Sequence, residues 1–153
     1  MSLRLPIAVM SAALAGGLAL PAAAQELHWL SPEAVLELPG STGDDQVTRR
    51  PLLRHDDAVI AARASVPPNA DIPPHPHPAG KVALVTVLSG EIELGLGDAF
   101  EAGKLRRIPV GGVIVLRADG PQHFARTGPD GAELLIVAAP AEAITAEILA
   151  GAE

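Results

Sequence analysis

Short apolar runs alternate with turn residues along most of the chain after residue 57. The runs recur at intervals of about 8–12 residues, a spacing typical of a β-sandwich or barrel. They are residues 58–66, 82–88, 91–96, 106–109, 113–116, 122–126 and 132–138. Ser89-Gly90 and Pro129-Asp130-Gly131 carry tight-turn signals between consecutive runs. The pattern predicts an all-β domain.

The segments on either side of these runs have a different pattern. Residues 25–57 are the least regular part and predict an N-terminal strand and loop extension. A short helical turn is expected at Ser31-Pro32-Glu33, because Ser is a good N-cap and Pro suits the first helical position. Residues 141–153 predict a short amphipathic C-terminal helix and tail, since Ile144 and Ile148 are four apart. A β-sandwich or barrel is therefore expected over residues 58–140.

The first 24 residues predict a secretory signal peptide. Arg4 supplies a positive charge, residues 5–20 are almost all apolar, and Ala22-Ala23-Ala24 offers a small-residue cleavage site. An uncleaved membrane anchor is the alternative, but the apolar run is shorter than the roughly 20 residues that span a bilayer. We expect a secreted or periplasmic protein with no membrane association after cleavage.

Composition narrows the chemistry that the domain can perform. The sequence has no cysteine, so neither a disulfide nor a thiolate ligand or nucleophile is available. The formal net charge is −7, and Arg49-Arg50 and Arg106-Arg107 are too short to form basic patches. Nucleic acid and anionic lipid are therefore not expected as partners, and we expect both pairs to be solvated. With one Trp, two Phe and no Tyr, the core must be built from aliphatic residues.

Three of the five histidines form the arrangement that points to chemistry. His75 and His77 are two apart in a proline-rich, extended segment, so their side chains share a face, and His123 follows later. The prolines exclude this segment from a sheet interior and favour the mouth or edge of a barrel. Three imidazoles would hold one divalent transition metal, Zn²⁺, Fe²⁺, Ni²⁺ or Cu²⁺, rather than Mg²⁺ or Ca²⁺. On spacing alone, a surface loop without metal is the alternative. His28 and His55 are expected to be ordinary surface residues.

These histidines also resemble the two sequence motifs of the cupin family. His75 and His77 match the histidine pair of the first motif, and Gly90 matches its closing glycine. Asn69 stands where that motif opens with glycine, a tolerable change because Asn also adopts left-handed conformations.

The second motif is matched by Gly112, Gly120 and His123, with Ala118 in place of the motif's proline. Between the motifs, residues 95–100 resemble a group of small, exported, single-domain bacterial cupins. The resemblance implies a double-stranded β-helix, also called a jelly roll or cupin barrel, over most of the chain. It also implies a metal held by the three histidines and a possible homodimer.

The glutamate that usually completes a cupin metal site has no counterpart here. Counting forward from His77 places Lys81 at its position, and counting back from Gly90 places Ala83 there. Three neutral imidazoles would leave the full 2+ charge on the metal, with positions open for water or substrate. The resemblance leaves two outcomes open, because this glutamate is also substituted in cupins that no longer bind metal.

Charged side chains near the motifs could contact a small-molecule substrate. The candidates are Lys81, Arg63, Glu91 and Glu93. Each has an ordinary alternative, since Lys81 could be solvated at the barrel rim and the others could lie on the exposed face. On the strand that carries His123, alternation predicts that Ala125 lines the cavity and that Phe124 points away.

Two classes of function remain open at this point. The first is a metal-dependent enzyme of the oxygenase or isomerase type that acts on a small molecule. The second is a non-catalytic periplasmic cupin that binds a metal or a small ligand. A general base or a charged anchor beside the metal would distinguish them.

Overall fold

The computed structural model describes residues 29–77 and 79–150. The predicted signal peptide, His28 and the last three residues of the tail lie outside this part of the chain. The strands within it are β1 (Ser41–Thr42), β2 (Thr48–His55), β3 (Ala58–Val66), β4 (Asp71–His75), β5 (Lys81–Leu96), β6 (Arg106–Ile108), β7 (Val113–Arg117) and β8 (His123–Pro140). The helices are α1 (Pro32–Leu36) and α2 (Ala146–Ala150), with single 3₁₀ turns at Ala102–Lys104 and Ala141–Ala143.

All the strand pairs are antiparallel, and the strands follow the order β1-β2-β3-β8-β5-β6, with β4 also paired to β8 and β7 to β5. The predicted all-β class is confirmed. Ser31 Oγ accepts a hydrogen bond from the Ala34 N–H at 3.2 Å, so the helical turn forms where its cap predicts it. None of the helices in residues 29–77 and 79–150 is long and apolar enough to cross a membrane.

The prediction that turns separate two strands at Ser89-Gly90 and at Pro129-Asp130-Gly131 is wrong. Both lie inside long strands, because β5 and β8 pair with each other along their lengths, from Lys81↔Pro140 to Leu96↔His123. The ladder shifts register where Gly90 pairs with Ala132 and Ile92 pairs with Thr127. Bulges of this kind bend a strand without ending it, and the positive φ angles of Gly90 (80°) and Gly131 (70°) fit such a bend.

The N-terminal extension contributes to the sheet as well. β2 pairs with β3 from Thr48↔Ser65 to His55↔Ala58, which places the residues before β2 next to the barrel. The sequence pattern shows little regularity here, because the C-terminal half of β2, residues 52–55, is exposed and Pro51 interrupts the alternation of the strand.

The core is aliphatic, as the composition predicts. Most of its buried residues come from β3, β4, β5, β7 and β8, and they include Val66, Ile72, Val87, Ile92 and Leu134. On the other face of β8, fully buried Phe124 lies against Phe100, with ring centroids 5.1 Å apart. Gly95 permits this packing, since a Cβ there would lie 2.4 Å from the Phe124 ring.

We predict that Gly90→Ala destabilises the domain much more than Gly80→Ala. Both glycines have positive φ, but a Cβ at Gly90 would lie 2.1 Å from the Gly131 carbonyl oxygen, whereas nothing lies within 4 Å at Gly80. Gly80→Ala should therefore cost about 1–2 kcal/mol of unfolding free energy from backbone conformation alone. Gly90→Ala should cost about 3 kcal/mol or more, since backbone must also move. Urea denaturation measures both, and equal losses would contradict a bend that requires glycine.

Candidate metal centre

The histidine cluster is formed where β4 meets β8. His75 is the cross-strand partner of His123, and His77 follows two residues after β4 ends. The imidazole centroids are 4.3 Å apart for His75 and His123, 4.7 Å for His77 and His123, and 5.6 Å for His75 and His77. One nitrogen of each ring lies within 4.8 Å of the others. The structure thus brings together the three predicted metal ligands.

Hydrogen bonds orient the rings of this cluster. His75 Nδ1 lies 3.0 Å from the Pro73 carbonyl oxygen, which can only accept, so Nδ1 carries the proton and Nε2 keeps its lone pair. His77 Nε2 and His123 Nδ1 are 2.8 Å apart, so one of them donates to the other. A backbone carbonyl that fixes the tautomer of an imidazole is a common support for metal-binding histidines.

Burial keeps two of the imidazoles neutral. His123 is only 7% exposed. Desolvation lowers the pKa of His123 to about 3, with further contributions from the charges of His75, His77 and Arg49. Burial, and then the charge of His75, also lowers the pKa of His77. At neutral pH these rings therefore present lone pairs rather than positive charges.

The cluster opens onto a cavity of about 340 Å³. Apart from the three histidines and Arg49, its wall consists of aliphatic side chains and Pro76. They include Val85 and Ile92 of β5, Leu116 of β7 and Leu134 of β8. Ala125 lines the cavity and Phe124 does not, as alternation along the strand predicts. An apolar cavity with a few convergent polar groups is the usual form of a small-molecule site.

Ala83 lies in this cavity wall, together with its cross-strand partners Leu116 and Ala138. Lys81 starts β5 and is not part of the described wall. Of the two counts, only the one back from Gly90 ends at a residue of the described cavity wall. In the described part of the chain, no carboxylate contributes to the cavity wall.

The structure does not bring the other predicted substrate contacts to the cavity. Arg63 Nε lies 2.7 Å from Glu133 Oε2 on the outer face of β3. Ile92 and Leu94 line the cavity, so Glu91 and Glu93 face outward, and Glu91 lies 3.6 Å from the Arg107 guanidinium. Lys81 lies at the start of β5 and does not contribute to the described cavity wall. None of the four contributes to the described cavity wall, and Arg63 is partly buried in its ion pair rather than on an exposed face.

Arg49 is a functional candidate that the sequence did not reveal. It lines the cavity with a side chain that is still 38% exposed, so Arg49 is not the fully solvated surface residue that the sequence predicts. Its Nη2 and Nη1 donate to the two oxygens of Asp45, at 2.5 and 3.0 Å. Arg50 faces the other side, where its Nη1 donates to Ser65 Oγ at 3.0 Å. Alternation from Val47, which also lines the cavity, is the signal that could have separated Arg49 from Arg50.

We predict that the metal-free protein loses stability as the pH falls below about 6.5. Unfolded His123 takes up a proton near its ordinary pKa of 6.5, whereas folded His123 does so only near 3. The unfolded state therefore binds more protons in this range, and the unfolding free energy falls by up to about 1.4 kcal/mol per pH unit. His123→Gln should lose the larger part of this slope between pH 6.5 and about 5. Arg49 lowers the pKa of Asp45 below its ordinary value, so Asp45 stays charged throughout this interval and does not contribute to the slope. The exposed His55 provides the control, because His55→Gln should retain the slope. Equal slopes in wild type and His123→Gln would contradict the assignment.

Comparison with known proteins places the architecture. No protein-family model matches the sequence, and no curated protein matches it. Among solved structures, the cupin domain of Cnp3 from Schizosaccharomyces pombe is similar at 16% identity and a TM-score of 0.55, covering 71% of this chain and 72% of that one. A protein of Klebsiella pneumoniae with a double-stranded β-helix domain is similar at 25% identity and a TM-score of 0.54, covering 78% and 95%. The polyketide cyclase RemF from Streptomyces resistomycificus is similar at 23% identity and a TM-score of 0.54, covering 75% and 80%.

These three proteins have different names, but each has a fold similar to that of this chain. The antiparallel topology described above agrees with this fold. The chain therefore has the double-stranded β-helix fold, which is also the fold of the cupin domain of Cnp3.

Proposed function

We propose that this protein is a metal-dependent enzyme of the oxygenase or isomerase type that acts on a small molecule in the barrel. His75, His77 and His123 would hold one divalent transition metal, Zn²⁺, Fe²⁺, Ni²⁺ or Cu²⁺. The observation that carries the proposal is the cluster itself: three imidazoles with nitrogens within 4.8 Å of one another, facing an apolar cavity.

The donor set fits such a metal. Neutral imidazole nitrogens are favourable ligands for late first-row transition metals and poor ones for Mg²⁺ or Ca²⁺. The depressed pKa values of His77 and His123 mean that little proton loss is needed for binding at neutral pH. The ion, when bound, would supply Lewis-acid or redox chemistry to an oxygen-bearing ligand.

The residues around the cluster have distinct roles in this proposal. Pro73 fixes the orientation of His75 through its carbonyl group. The aliphatic wall excludes water from the reacting region and accommodates the apolar part of a substrate. Arg49 is the charged group beside the histidines that can orient a substrate.

A non-catalytic binding protein is the second candidate, and one observation favours it. The cavity wall of the described residues has no carboxylate, and nearby Asp45 is engaged by Arg49, so a free general base is missing. Oxygen uptake by the metal-loaded protein with catechol-like or diketone-like compounds distinguishes the candidates. Uptake supports an oxygenase, conversion of the compound to an isomer without uptake supports an isomerase, and absence of both with every metal favours the binding protein.

The proposal includes an exported protein that acts as a homodimer in the periplasm or outside the cell. The basis for export is the signal-peptide pattern of residues 1–24, with cleavage before Gln25. The basis for the homodimer is the combination of sheet edges and a C-terminal helix, which is common in dimeric cupins. The expected ligand is a small molecule, with neither nucleic acid nor membrane as partner.

We predict close to one transition-metal ion per mature chain in the untagged, exported protein. Native mass spectrometry and elemental analysis should show a chain that begins at Gln25 and carries the ion. His75→Ala/His123→Ala should lose the metal, because two of the three ligands are removed. His55→Ala is the control, since His55 is exposed and distant in sequence from both motifs. A metal-free wild type that gains no thermal stability from Zn²⁺, Fe²⁺, Ni²⁺ or Cu²⁺ would contradict the proposal.

We predict that Ala83→Glu tightens metal binding by about tenfold or more, because a carboxylate would join three neutral ligands around a 2+ charge. Lys81→Glu is the matched comparison, since Lys81 is the alternative counterpart of the missing glutamate but lies outside the described cavity wall. Its metal affinity should stay within about twofold of wild type. Competition with a chelator measures both affinities. A tighter Lys81→Glu and an unchanged Ala83→Glu would reverse the assignment.

A further inference from the structure

Arg49 is held at the cavity by a built support. The loop before β2 is closed by Gly43 N–H to the Val47 carbonyl (3.2 Å) and Gln46 N–H to the Gly43 carbonyl (2.9 Å). Asp45 Oδ1 also accepts from the Val47 N–H at 3.2 Å, which fixes the carboxylate that grips the guanidinium. A guanidinium held at both ends of its fork has little rotamer freedom left to lose on binding a ligand.

This guanidinium keeps donors for a ligand. Within the described residues, three of its five N–H groups are used, two by Asp45 and one by the Val47 carbonyl at 3.4 Å. The Asp45 side chain is 15% exposed and that of Arg49 is 38% exposed, so the arginine is the more accessible partner. Arg49 is also close enough to His123 for its charge to lower the pKa of that imidazole, after burial, His75 and His77.

The charges around the site do not balance when a metal is present. The three imidazole ligands would be neutral, and the described cavity wall, which includes Ala83, has no carboxylate to offset part of the 2+ charge. Asp45 offsets Arg49 but not the metal. A net positive charge beside an aliphatic wall is costly to bury without an anion, and the cavity itself supplies none.

We infer that the small molecule bound in this cavity is an organic carboxylate, with its anionic group between the histidine cluster and Arg49 and its apolar part along the aliphatic wall. The ligand would thus bring the negative charge that the described cavity wall does not provide. This inference rests on the proposed function, because it assumes that a metal occupies the cluster.

Isothermal titration of the Zn²⁺-loaded full-length mature protein with hexanoate and hexanamide tests the inference. The two probes have nearly the same shape but differ in charge. Hexanoate should bind at least about tenfold more tightly than hexanamide, because its hydrogen bonds to the guanidinium are charge-assisted. Absence of a preference for hexanoate would overturn the inference.

Two variants should act in opposite directions. Arg49→Gln should weaken hexanoate binding by about tenfold or more and leave hexanamide within about twofold, since it removes a charged donor. Asp45→Asn should strengthen hexanoate binding by about threefold or more, because it removes a competing negative charge, while the amide oxygen of Asn can still accept from Arg49 and from the Val47 N–H. Arg50→Gln is the matched control: it removes the same charge from the opposite face of β2 and should change neither affinity more than about twofold.

The variants also distinguish a structural role from a binding role. A purely structural role for the Arg49–Asp45 pair would make both Arg49→Gln and Asp45→Asn weaken the two probes equally, which would overturn the inference. If Arg49→Gln does not fold, the increase expected for Asp45→Asn still decides. Failure of Zn²⁺ to bind would overturn the proposed function and the inference with it, whereas Zn²⁺ binding without selectivity for hexanoate overturns the inference alone.

Discussion

The pairing of β5 with β8 is the interaction on which the cavity and the histidine cluster both depend. The other barrel strands attach to these two: β3 and β4 pair with β8, while β6 and β7 pair with β5. Alternation along the two long strands decides which side chains face inward. The bulges near Gly90 and Gly131 bend the ladder so that Ala83 and His123, far apart on it, line one cavity. A shift of one residue on β8 would turn His123 outward and Phe124 inward.

That constraint explains which parts of the structure the sequence could predict. The strand at Ala58–Val66 has the predicted bounds, and the alternation of Ala125 and Phe124 is confirmed, because both follow from local periodicity. The continuity of β5 and β8 could not be read from Ser89-Gly90, since the same glycine signal suits a hairpin or a bulge. Only the pairing of the two strands over their lengths decides between them.

Arg49 illustrates a second limit, which is chemical as well as structural. Two adjacent arginines in an irregular segment predict a solvated surface, but Arg50 is partly buried on the outer side of β2, where it donates to Ser65. Arg49 faces inward because β2 pairs with β3 and because the Asp45 carboxylate offsets the cost of bringing a guanidinium to an apolar wall. Neither partner is evident until the strand register is known. The histidines were easier to identify, since their spacing is itself part of a motif.

The same apolar wall has opposite effects on the two kinds of polar group in the cavity. It strips water from His123 and so makes the neutral imidazole, the form that binds a metal, the stable one. It also strengthens the electrostatic interactions of any charged group that remains there, because few dipoles are available to screen them. No carboxylate of the described residues lines this cavity, while Arg49 places a cation there whose partner, Asp45, is not part of the described wall. The site is therefore prepared to stabilise negative charge on a ligand, and chemistry that develops such charge next to the histidines is the chemistry that this cavity favours.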